Sequence, residues 1–264
     1  MQIEELRDGA KAAVRGNGSF AGLQPAGISD FDGALANGNL TISYAHYMNR
    51  IRLLSNRTLL RIMELVAEKN AGNISHEEFD IQGIRTFAQG MKGVDVEIAE
   101  RTAAKVFGLF RPSIYASSYG VAPLFGENGY HTILMSVGIM EVTSLAALEL
   151  GFGEVHATVL ERRKGVYTGE VVSDLHMPGG KGRAIENRRP ALDLRRSSAM
   201  GDSQADESIL HIVGKPFALN PSAHLRATAE THGWTVLSHE NVLEGITAAL
   251  RREVPVARRV RQAV

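Results

Sequence analysis

Short apolar segments alternate with helical segments along the second half of the chain, and this alternation restricts the possible folds more than any other sequence feature. Residues 132–135 and 217–219 are compact apolar runs, whereas residues 141–150 and 223–231 have the composition and spacing of helices. Parallel strands need crossover connections, and helices usually supply them. The pattern therefore predicts an α/β fold, in which helices cover a mainly parallel sheet.

A block with helical periodicity separates the first short strand, which ends near Asp30, from this alternating half. Ser75 and Glu78 have the spacing of a capping box at a helix start, and Pro112 ends the last helical pattern. Apolar residues recur at three- and four-residue steps in the block, at Leu53, Leu54, Leu59, Leu60, Ile62, Met63 and Val66. We expect a core domain of residues 1–37 and 121–264, with residues 38–120 inserted as a helical cap domain.

Two further local patterns make specific predictions within the second half. Residues 155–160 and 166–172 flank Lys164-Gly165, which predicts a β-hairpin. Residues 183–188 have the pattern of a short helix, and Lys181 stands near its start.

The composition excludes several classes of protein. The 264 residues include no cysteine, which rules out disulfide scaffolds, cysteine-bound zinc, iron–sulfur clusters and thiol catalysis, and is compatible with a cytoplasmic location. Lys and Arg total 29, as do Asp and Glu, so no overall charge favours nucleic acid or membrane surfaces. The most apolar window, residues 132–150, contains Glu141 and predicts a strand and a buried helix, not a membrane span.

Two segments resemble known ligand loops or tails only weakly. Residues 16–22 are glycine-rich but lack the third glycine and the preceding strand of a dinucleotide loop. Residues 251–261 are locally basic and are interpreted as a solvated tail.

Asp30 and Asp32 stand two residues apart at the end of the first predicted strand. Side chains at i and i+2 share one side of an extended chain, and ligands of open parallel sheets bind beyond the carboxyl ends of the strands. Two carboxylates placed there can bind a hard cation, and one of them can attack phosphorus. A simple Asp-Gly turn at Asp32-Gly33 is the alternative.

A second acidic pair, Asp202 and Asp206, follows another short predicted strand. Clustered anions repel each other, and a shared Mg²⁺ would remove that repulsion; helix capping by Asp202 or Ser203 is the alternative. Ser136 ends the apolar run 132–135, where a hydroxyl group and a helix N-terminus can hold a phosphate, or where the serine simply caps the helix. Taken alone, Lys181 would be interpreted as a solvated lysine.

The order of these four signals resembles the haloacid dehalogenase-like (HAD) hydrolase superfamily. Asp30-Phe31-Asp32-Gly33 is similar to its first motif, Ser136 to its second, Lys181 to its third, and Gly201-Asp202-Ser203 through Asp206 to its fourth. Residues 129–136, 158–169 and 213–221 resemble the phosphoserine phosphatase-like branch. The resemblance covers roughly residues 28–237 and implies a Rossmann-like parallel-sheet core with a helical cap inserted after the first motif.

The resemblance also implies a mechanism for a small phosphomonoester. Asp30 would attack phosphorus and form an aspartyl phosphate, and Asp32 would protonate the leaving oxygen and then activate water. Ser136 and Lys181 would hold the phosphoryl oxygens. Mg²⁺ would be bound by Asp30, the Asp32 backbone carbonyl and Asp202, with Asp206 either a ligand or an orienting neighbour.

Several functional questions stay open at this level. The same residues could transfer the phosphoryl group to an acceptor other than water, or the chain could bind a phosphorylated metabolite without turnover. The phosphoserine-specific branch has an acid for the substrate ammonium where this chain has Asn39, so the substrate is open. Arg85, in the predicted cap, is a candidate contact for a substrate anion. The sequence does not predict the oligomeric state.

Overall fold

The computed structural model describes residues 23–188 and 190–251, so the glycine-rich segment 16–22 and, apart from Arg251, the basic segment 251–261 lie outside the described residues. Within the described part, no helix is both long enough and apolar enough to span a bilayer. The strands are β1 (Ala26–Asp30), β2 (His131–Ile139), β3 (Glu154–Thr158), β4 (Leu160–Arg163), β5 (Val166–Val171), β6 (Ser198–Gly201), β7 (Lys215–Leu219) and β8 (Thr235–Leu237). The helices are α1 (Leu40–Arg50), α2 (Asn56–Asn70), α3 (His76–Gly90), α4 (Val96–Phe110), α5 (Val121–Glu127), α6 (Met140–Leu150), α7 (Gly180–Glu186), α8 (Glu207–Leu210), α9 (Ala223–His232) and α10 (Val242–Arg251).

Six strands form one parallel sheet in the order β3-β2-β1-β6-β7-β8, which confirms the predicted α/β class. The strand β1 lies in the middle of this sheet and is buried along its whole length. A Cβ atom at Gly27 would overlap the ring of Phe125, so this strand can pack under α5 only with glycine there. Because β2, β1 and β6 are neighbouring parallel strands, their carboxyl ends meet at one edge of the sheet.

The helical block contains α1 to α4, and polar side chains begin each of these helices. Asn39, Ser55, Ser75 and Asp95 each accept a hydrogen bond from the backbone N–H three residues later. Such capping satisfies backbone donors that lack partners within the helix, and each cap contributes about 1 kcal/mol. The cap at Ser75 confirms the helix start predicted there, and a 3₁₀ turn that contains Pro112 follows α4.

The hairpin is present, but one of its arms differs from the prediction. The turn is at Lys164-Gly165, where both residues have positive φ, and the paired strands are β4 and β5. Most of the predicted first arm, residues 155–160, instead belongs to β3, which pairs in parallel with β2 at the edge of the main sheet. Alternating apolar residues fit either role, so the local sequence did not distinguish them.

Two groups of buried apolar side chains stabilise the sheet from its two sides. The larger group is continuous from the sheet into the helical block and includes Phe31, Tyr44, Phe87, Phe110 and Leu134. The smaller group packs under α7, α8 and α9. Because the first group runs without interruption from β2 to α3, the helical block is held directly above the carboxyl edge of the sheet.

Candidate active site

The sheet brings the four predicted motifs to its carboxyl edge. Asp30 is the last residue of β1, Asp202 follows β6 directly, and Ser136 lies in the second half of β2. The strand β2 runs past Ser136 to Ile139, with a shift in register against β3 after Met135. Residues more than a hundred positions apart in the sequence therefore meet because their strands are neighbours.

Three carboxylates converge at this edge. Asp30, Asp202 and Asp206 each offer an oxygen atom, and these atoms lie within 4.8 Å of one another. Gly33 brings the chain close to this cluster with a φ of 92°, and a Cβ atom there would collide with the carboxylate of Asp202. The glycine of the first motif is thus required both by its backbone conformation and by the space that the acid occupies.

Lys181 faces these carboxylates and is only 3% exposed. Its Nζ atom lies 2.5 Å from Oδ1 of Asp30 and 2.6 Å from Oδ1 of Asp206. Burial alone would lower the pKa of Lys181, but the charges of Asp206 and Asp30 raise it above its ordinary value. The interpretation of Lys181 as a solvated lysine is therefore wrong, because its partners come from β1 and from the turn after β6.

Asp206 is fully buried, and both of its oxygen atoms accept hydrogen bonds. Oδ1 accepts from Lys181, while Oδ2 accepts from the backbone N–H groups of Asp202 and Ser203 and from the Ser203 hydroxyl group. Ser203 and Asp206 form a capping box on the 3₁₀ turn 204–206. In this arrangement Asp206 fixes the turn that carries Asp202 and positions the ammonium group of Lys181.

Asp32 is held in a separate position, beside β2. Its Oδ1 accepts a hydrogen bond of 2.7 Å from the backbone N–H of Leu40, and its Oδ2 accepts one of 3.1 Å from the hydroxyl group of Ser136. The Ser136 hydroxyl group also accepts from the N–H of Gly138. A Cβ atom at Gly138 would lie 2.7 Å from the hydroxyl oxygen of Thr41, so only glycine fits between β2 and α1 at this point.

Burial raises the pKa values of Asp30, Asp32 and Asp202. The pKa of Asp32 is raised to about 6, because burial outweighs the hydrogen bonds from Leu40 and Ser136. Burial also raises the pKa of Asp30, against the opposing charge of Lys181, and the pKa of Asp202, whose charge is further opposed by Asp206. A cation bound among these carboxylates would favour their ionised forms and so lower their pKa values again.

The residues present fit a hard divalent cation. Carboxylate oxygens are the ligands that Mg²⁺ prefers in proteins, and the three carboxylates already share one small region into which Gly33 adds no side chain. Asp30, Asp202 and Asp206 are thus brought together as predicted. The side chain of Asp32 points to Leu40 and Ser136 instead, which is compatible with the predicted use of its backbone carbonyl as the ligand.

A cavity of about 380 Å³ lies between these acids and the helical block. Its wall on the helical side is mainly apolar, with Ile42, Ile62, Phe79, Ile84 and Phe87, and it also carries Lys69, His76 and Asp80. Sequence reasoning missed these last three residues. The available signal was the spacing 76, 80, 83, 87 along α3, which places polar and apolar side chains on one face of a helix.

Arg85 does not line this cavity. It is exposed on α3, and its charge acts on His176, whose pKa is lowered mainly by burial. Its role as a substrate contact stays a prediction. Asn39, by contrast, does line the cavity, where its side-chain oxygen caps α1.

Comparison with known proteins places this geometry in a family. The sequence model of the HAD family, described as haloacid dehalogenase-like hydrolase, matches residues 28–211. A putative hydrolase of Mycobacterium leprae is 24% identical over 223 residues, which cover 81% of this chain and 72% of the relative. The family match includes all four motifs.

Solved structures share the fold. A Bordetella pertussis Tohama I protein of unknown function is 22% identical, with a TM-score of 0.72 over 83% of this chain and 100% of its own. A phosphoserine phosphatase, solved as a phospho-aspartyl intermediate analogue, is 17% identical with a TM-score of 0.63, over 86% of this chain and 99% of its own. The family match extends over more than half of the chain, from the first aspartate of the site to the helix after the last one. This chain therefore belongs to the haloacid dehalogenase-like hydrolase family.

Proposed function

We propose that this hydrolase is a Mg²⁺-dependent phosphatase that cleaves a small phosphomonoester through an aspartyl phosphate on Asp30. One observation carries the proposal: the carboxylates of Asp30, Asp202 and Asp206 lie within 4.8 Å of one another, and Lys181 bridges Asp30 and Asp206. A nucleophilic carboxylate, a site for a cation and a buried ammonium group are the parts that attack on an anionic phosphate requires.

In the first half-reaction, an oxygen of Asp30 forms a bond to phosphorus while the bond from phosphorus to the ester oxygen breaks. The departing oxygen takes the proton of the Asp32 carboxyl group. Burial raises the pKa of Asp32 to about 6, so near neutral pH a larger fraction of this carboxyl group carries a proton than of an ordinary aspartate. Hydrogen bonds from Leu40 and Ser136 fix the direction in which that carboxyl group points.

In the second half-reaction, Asp32 is ionised and removes a proton from a water molecule. The water oxygen forms a bond to phosphorus, and the bond between Asp30 and phosphorus breaks. Inorganic phosphate leaves, and both aspartates return to their starting states. Transfer of the phosphoryl group to an alcohol in place of water would use the same residues.

Mg²⁺, when bound by Asp30, Asp202 and the Asp32 carbonyl, supplies positive charge that offsets the phosphate and the nucleophile. Lys181 supplies further positive charge at the same carboxylate. Ser136 and Lys181 are the groups proposed to hold the phosphoryl oxygens. Phosphate esters hydrolyse very slowly without catalysis, so such charge compensation and positioning account for much of the expected rate enhancement.

The size of the cavity supports a small substrate. Its volume of about 380 Å³ is at the lower end of the range for small-molecule sites. The likeness to a phosphoserine phosphatase captured as a phospho-aspartyl analogue supports a phosphomonoester and a covalent intermediate. We therefore propose a small phosphorylated metabolite as the substrate.

The direct test is hydrolysis of p-nitrophenyl phosphate by the purified protein with Mg²⁺, and again with EDTA. We expect Mg²⁺-dependent turnover that falls at least about 1000-fold in Asp30→Asn, because the nucleophile is lost. Asp174→Asn is the matched control, since its side chain is 61% exposed and makes only a surface ion pair with Arg183. Undiminished turnover in Asp30→Asn would refute the assignment.

Product analysis separates hydrolysis from transfer. Added methanol or glycerol should leave inorganic phosphate as the main product if water is the acceptor. An acid-quenched sample should carry a phosphoryl adduct on the peptide that contains Asp30, and Asp30→Asn should lack it.

A further inference from the structure

The cavity wall opposite the catalytic acids is built mainly by one face of α3. His76, Asp80, Gly83, Ile84 and Phe87 recur at helical spacing along this face and line the cavity. The 3₁₀ turn that contains Asp206 packs against the same helix. The face of α3 therefore lies where a group esterified to the phosphate must extend.

Most of this wall is apolar. Phe87 is 1% exposed and Ile84 is 6% exposed, and Ile42 and Ile62 come to the same space from α1 and α2. Such a surface gains free energy by covering an apolar body and gains nothing from a strongly hydrated one. The apolar part of the cavity thus favours a leaving group with a hydrocarbon or aromatic body.

Asp80 supplies a carboxyl group to the wall that α3 forms. Its side chain is 11% exposed, and its nearest ionisable neighbour is Nε2 of His76 at 3.8 Å, which is too long for a hydrogen bond. No residue in the ranges 23–188 and 190–251 donates a hydrogen bond to it. A buried carboxyl group without a donor is costly unless a ligand supplies one.

The charges around Asp80 do not replace such a donor. Burial lowers the pKa of His76 to about 4, so His76 is neutral at pH 7, and burial raises the pKa of Asp80 to about 7. Lys69 also lines the cavity, but its Nζ atom lies 4.5 Å above the ring of Phe79, and it forms no ion pair with Asp80 within 4.0 Å. Lys181 and Asp206 act on Asp80 only through their more distant charges.

We propose that Asp80 is a specificity-determining residue that accepts a hydrogen bond from a hydroxyl or ammonium group on the leaving group of the substrate. The rest of that leaving group is apolar and packs against Phe87, Ile84 and Ile62. The proposal rests on the phosphatase function proposed above. It names the substrate class as phosphomonoesters of an apolar alcohol that carries one hydrogen-bond donor away from the ester oxygen.

A series of aryl phosphates with one body and different substituents tests this proposal. The series is phenyl phosphate, 3-(hydroxymethyl)phenyl phosphate, 3-(aminomethyl)phenyl phosphate and 3-carboxyphenyl phosphate, with O-phospho-L-serine as a zwitterionic substrate without an apolar body. The hydroxymethyl and aminomethyl arms distinguish the two sources of the donor. We expect kcat/KM for at least one of these two to exceed that for phenyl phosphate by about tenfold to hundredfold, because an unpaired buried polar group is then satisfied.

Asp80→Leu should abolish this preference, so that kcat/KM for the donor-bearing esters falls to about that for phenyl phosphate in the same variant. Asp80→Asn keeps the shape of the side chain but removes its negative charge. It should therefore reduce the preference for the aminomethyl ester more than the preference for the hydroxymethyl ester. Glu78→Gln is the control on the same helix, because Glu78 is exposed and faces Gln82. It should retain the preference of the unchanged protein.

Binding measured by calorimetry separates this proposal from the phosphatase proposal. The same aryl phosphates are titrated, with Mg²⁺ present, into Asp30→Asn and into Asp30→Asn combined with Asp80→Leu. A donor-dependent affinity that disappears with Asp80→Leu supports the role of Asp80 even if the unchanged protein hydrolyses none of the esters. Equal affinities for phenyl phosphate and both donor-bearing esters would overturn it, as would a preference that survives in Asp80→Leu. A higher kcat/KM for O-phospho-L-serine than for every aryl ester would overturn the apolar part of the substrate class.

Discussion

Replacement of Lys181 by methionine tests how charge is balanced at the site. Methionine keeps an unbranched side chain but removes the ammonium group that lies 2.5 Å from Asp30 and 2.6 Å from Asp206. At an effective dielectric constant of about 20, each contact corresponds to roughly 6 kcal/mol of gross Coulomb attraction. Burial of the three groups offsets part of this attraction.

The net effect is better taken from substitutions that remove one partner of a buried ion pair, which cost about 3–5 kcal/mol. Asp206 keeps three other hydrogen-bond donors, so the loss falls mainly on Asp30. We expect the free energy of unfolding without Mg²⁺ at pH 7 to fall by about 3–5 kcal/mol. This is a large share of the roughly 5–15 kcal/mol typical of a folded protein.

Mg²⁺ should partly reverse this loss while catalysis stays absent. Lys181→Met gives the cation site one more unit of negative charge, so Mg²⁺ should bind more tightly than in the unchanged protein. Each tenfold gain in affinity adds about 1.4 kcal/mol to the stabilisation by saturating Mg²⁺. Turnover of p-nitrophenyl phosphate should nevertheless be lost, because the charge that faces the phosphoryl group is missing.

Urea unfolding with EDTA and with increasing Mg²⁺ measures both effects. Lys92→Met, at an exposed lysine, is the control for the loss of one positive charge. If Lys181→Met does not fold at pH 7, the titration is run at lower pH. The pKa of Asp30 is raised by burial, so its protonation stabilises the fold as the pH falls. Unchanged stability without Mg²⁺, or a folded variant that no longer responds to Mg²⁺, would refute the reasoning.

Two further predictions concern a catalytic proton and a structural ion pair. Asp32→Asn should lower kcat for an alkyl phosphate by about 10²–10⁴-fold but affect p-nitrophenyl phosphate much less, because nitrophenolate leaves without a proton; equal losses in steady-state assays of both esters would contradict the role as general acid. Burial alone would raise the pKa of Glu154, but hydrogen bonds from His131 and His156 and the charge of Arg188 lower it below its ordinary 4.5. Glu154→Gln should therefore reduce the free energy of unfolding by about 1.5–3 kcal/mol at pH 7, and this difference should shrink as the pH falls below about 4.5. Urea unfolding at several pH values checks the second prediction, and a difference that grows in acid would contradict it.

The sequence predicted those parts of the molecule that short-range chemistry determines. Ser75 caps the start of α3, because its side chain accepts a hydrogen bond from a backbone N–H group, which only a few residue types can do. The family resemblance selected Asp30, Lys181 and Asp206, which the structure brings into contact at one edge of the sheet. The environment of Lys181 was not visible locally, since its partner Asp30 lies 151 positions away.

The residues on the cavity wall were hidden for a different reason. A helix face with Phe79, Ile84 and Phe87 has the periodicity of any amphipathic helix that packs on a core, and nothing in the pattern shows that part of this face borders a cavity. His76 and Asp80 share that face at a spacing of four residues, which is equally typical of a surface pair. Their burial depends on how α3 packs over the 3₁₀ turn 204–206, a contact between distant parts of the sequence.

The hydrogen bonds of Asp206 give this acid a role at the site that does not require it to bind the metal. Its two oxygen atoms already accept from Lys181, from two backbone N–H groups and from the Ser203 hydroxyl group. A cation that bound Oδ1 of Asp206 would lie next to the ammonium group of Lys181 and be repelled by it, and one that bound Oδ2 would compete with the three donors that fix the turn. A cation that approaches Asp30 and Asp202 leaves these bonds intact. In the proposed mechanism the two uses of negative charge are thus separate: Asp206 positions Lys181 and the turn, and Asp30 and Asp202 are the carboxylates proposed to bind the cation.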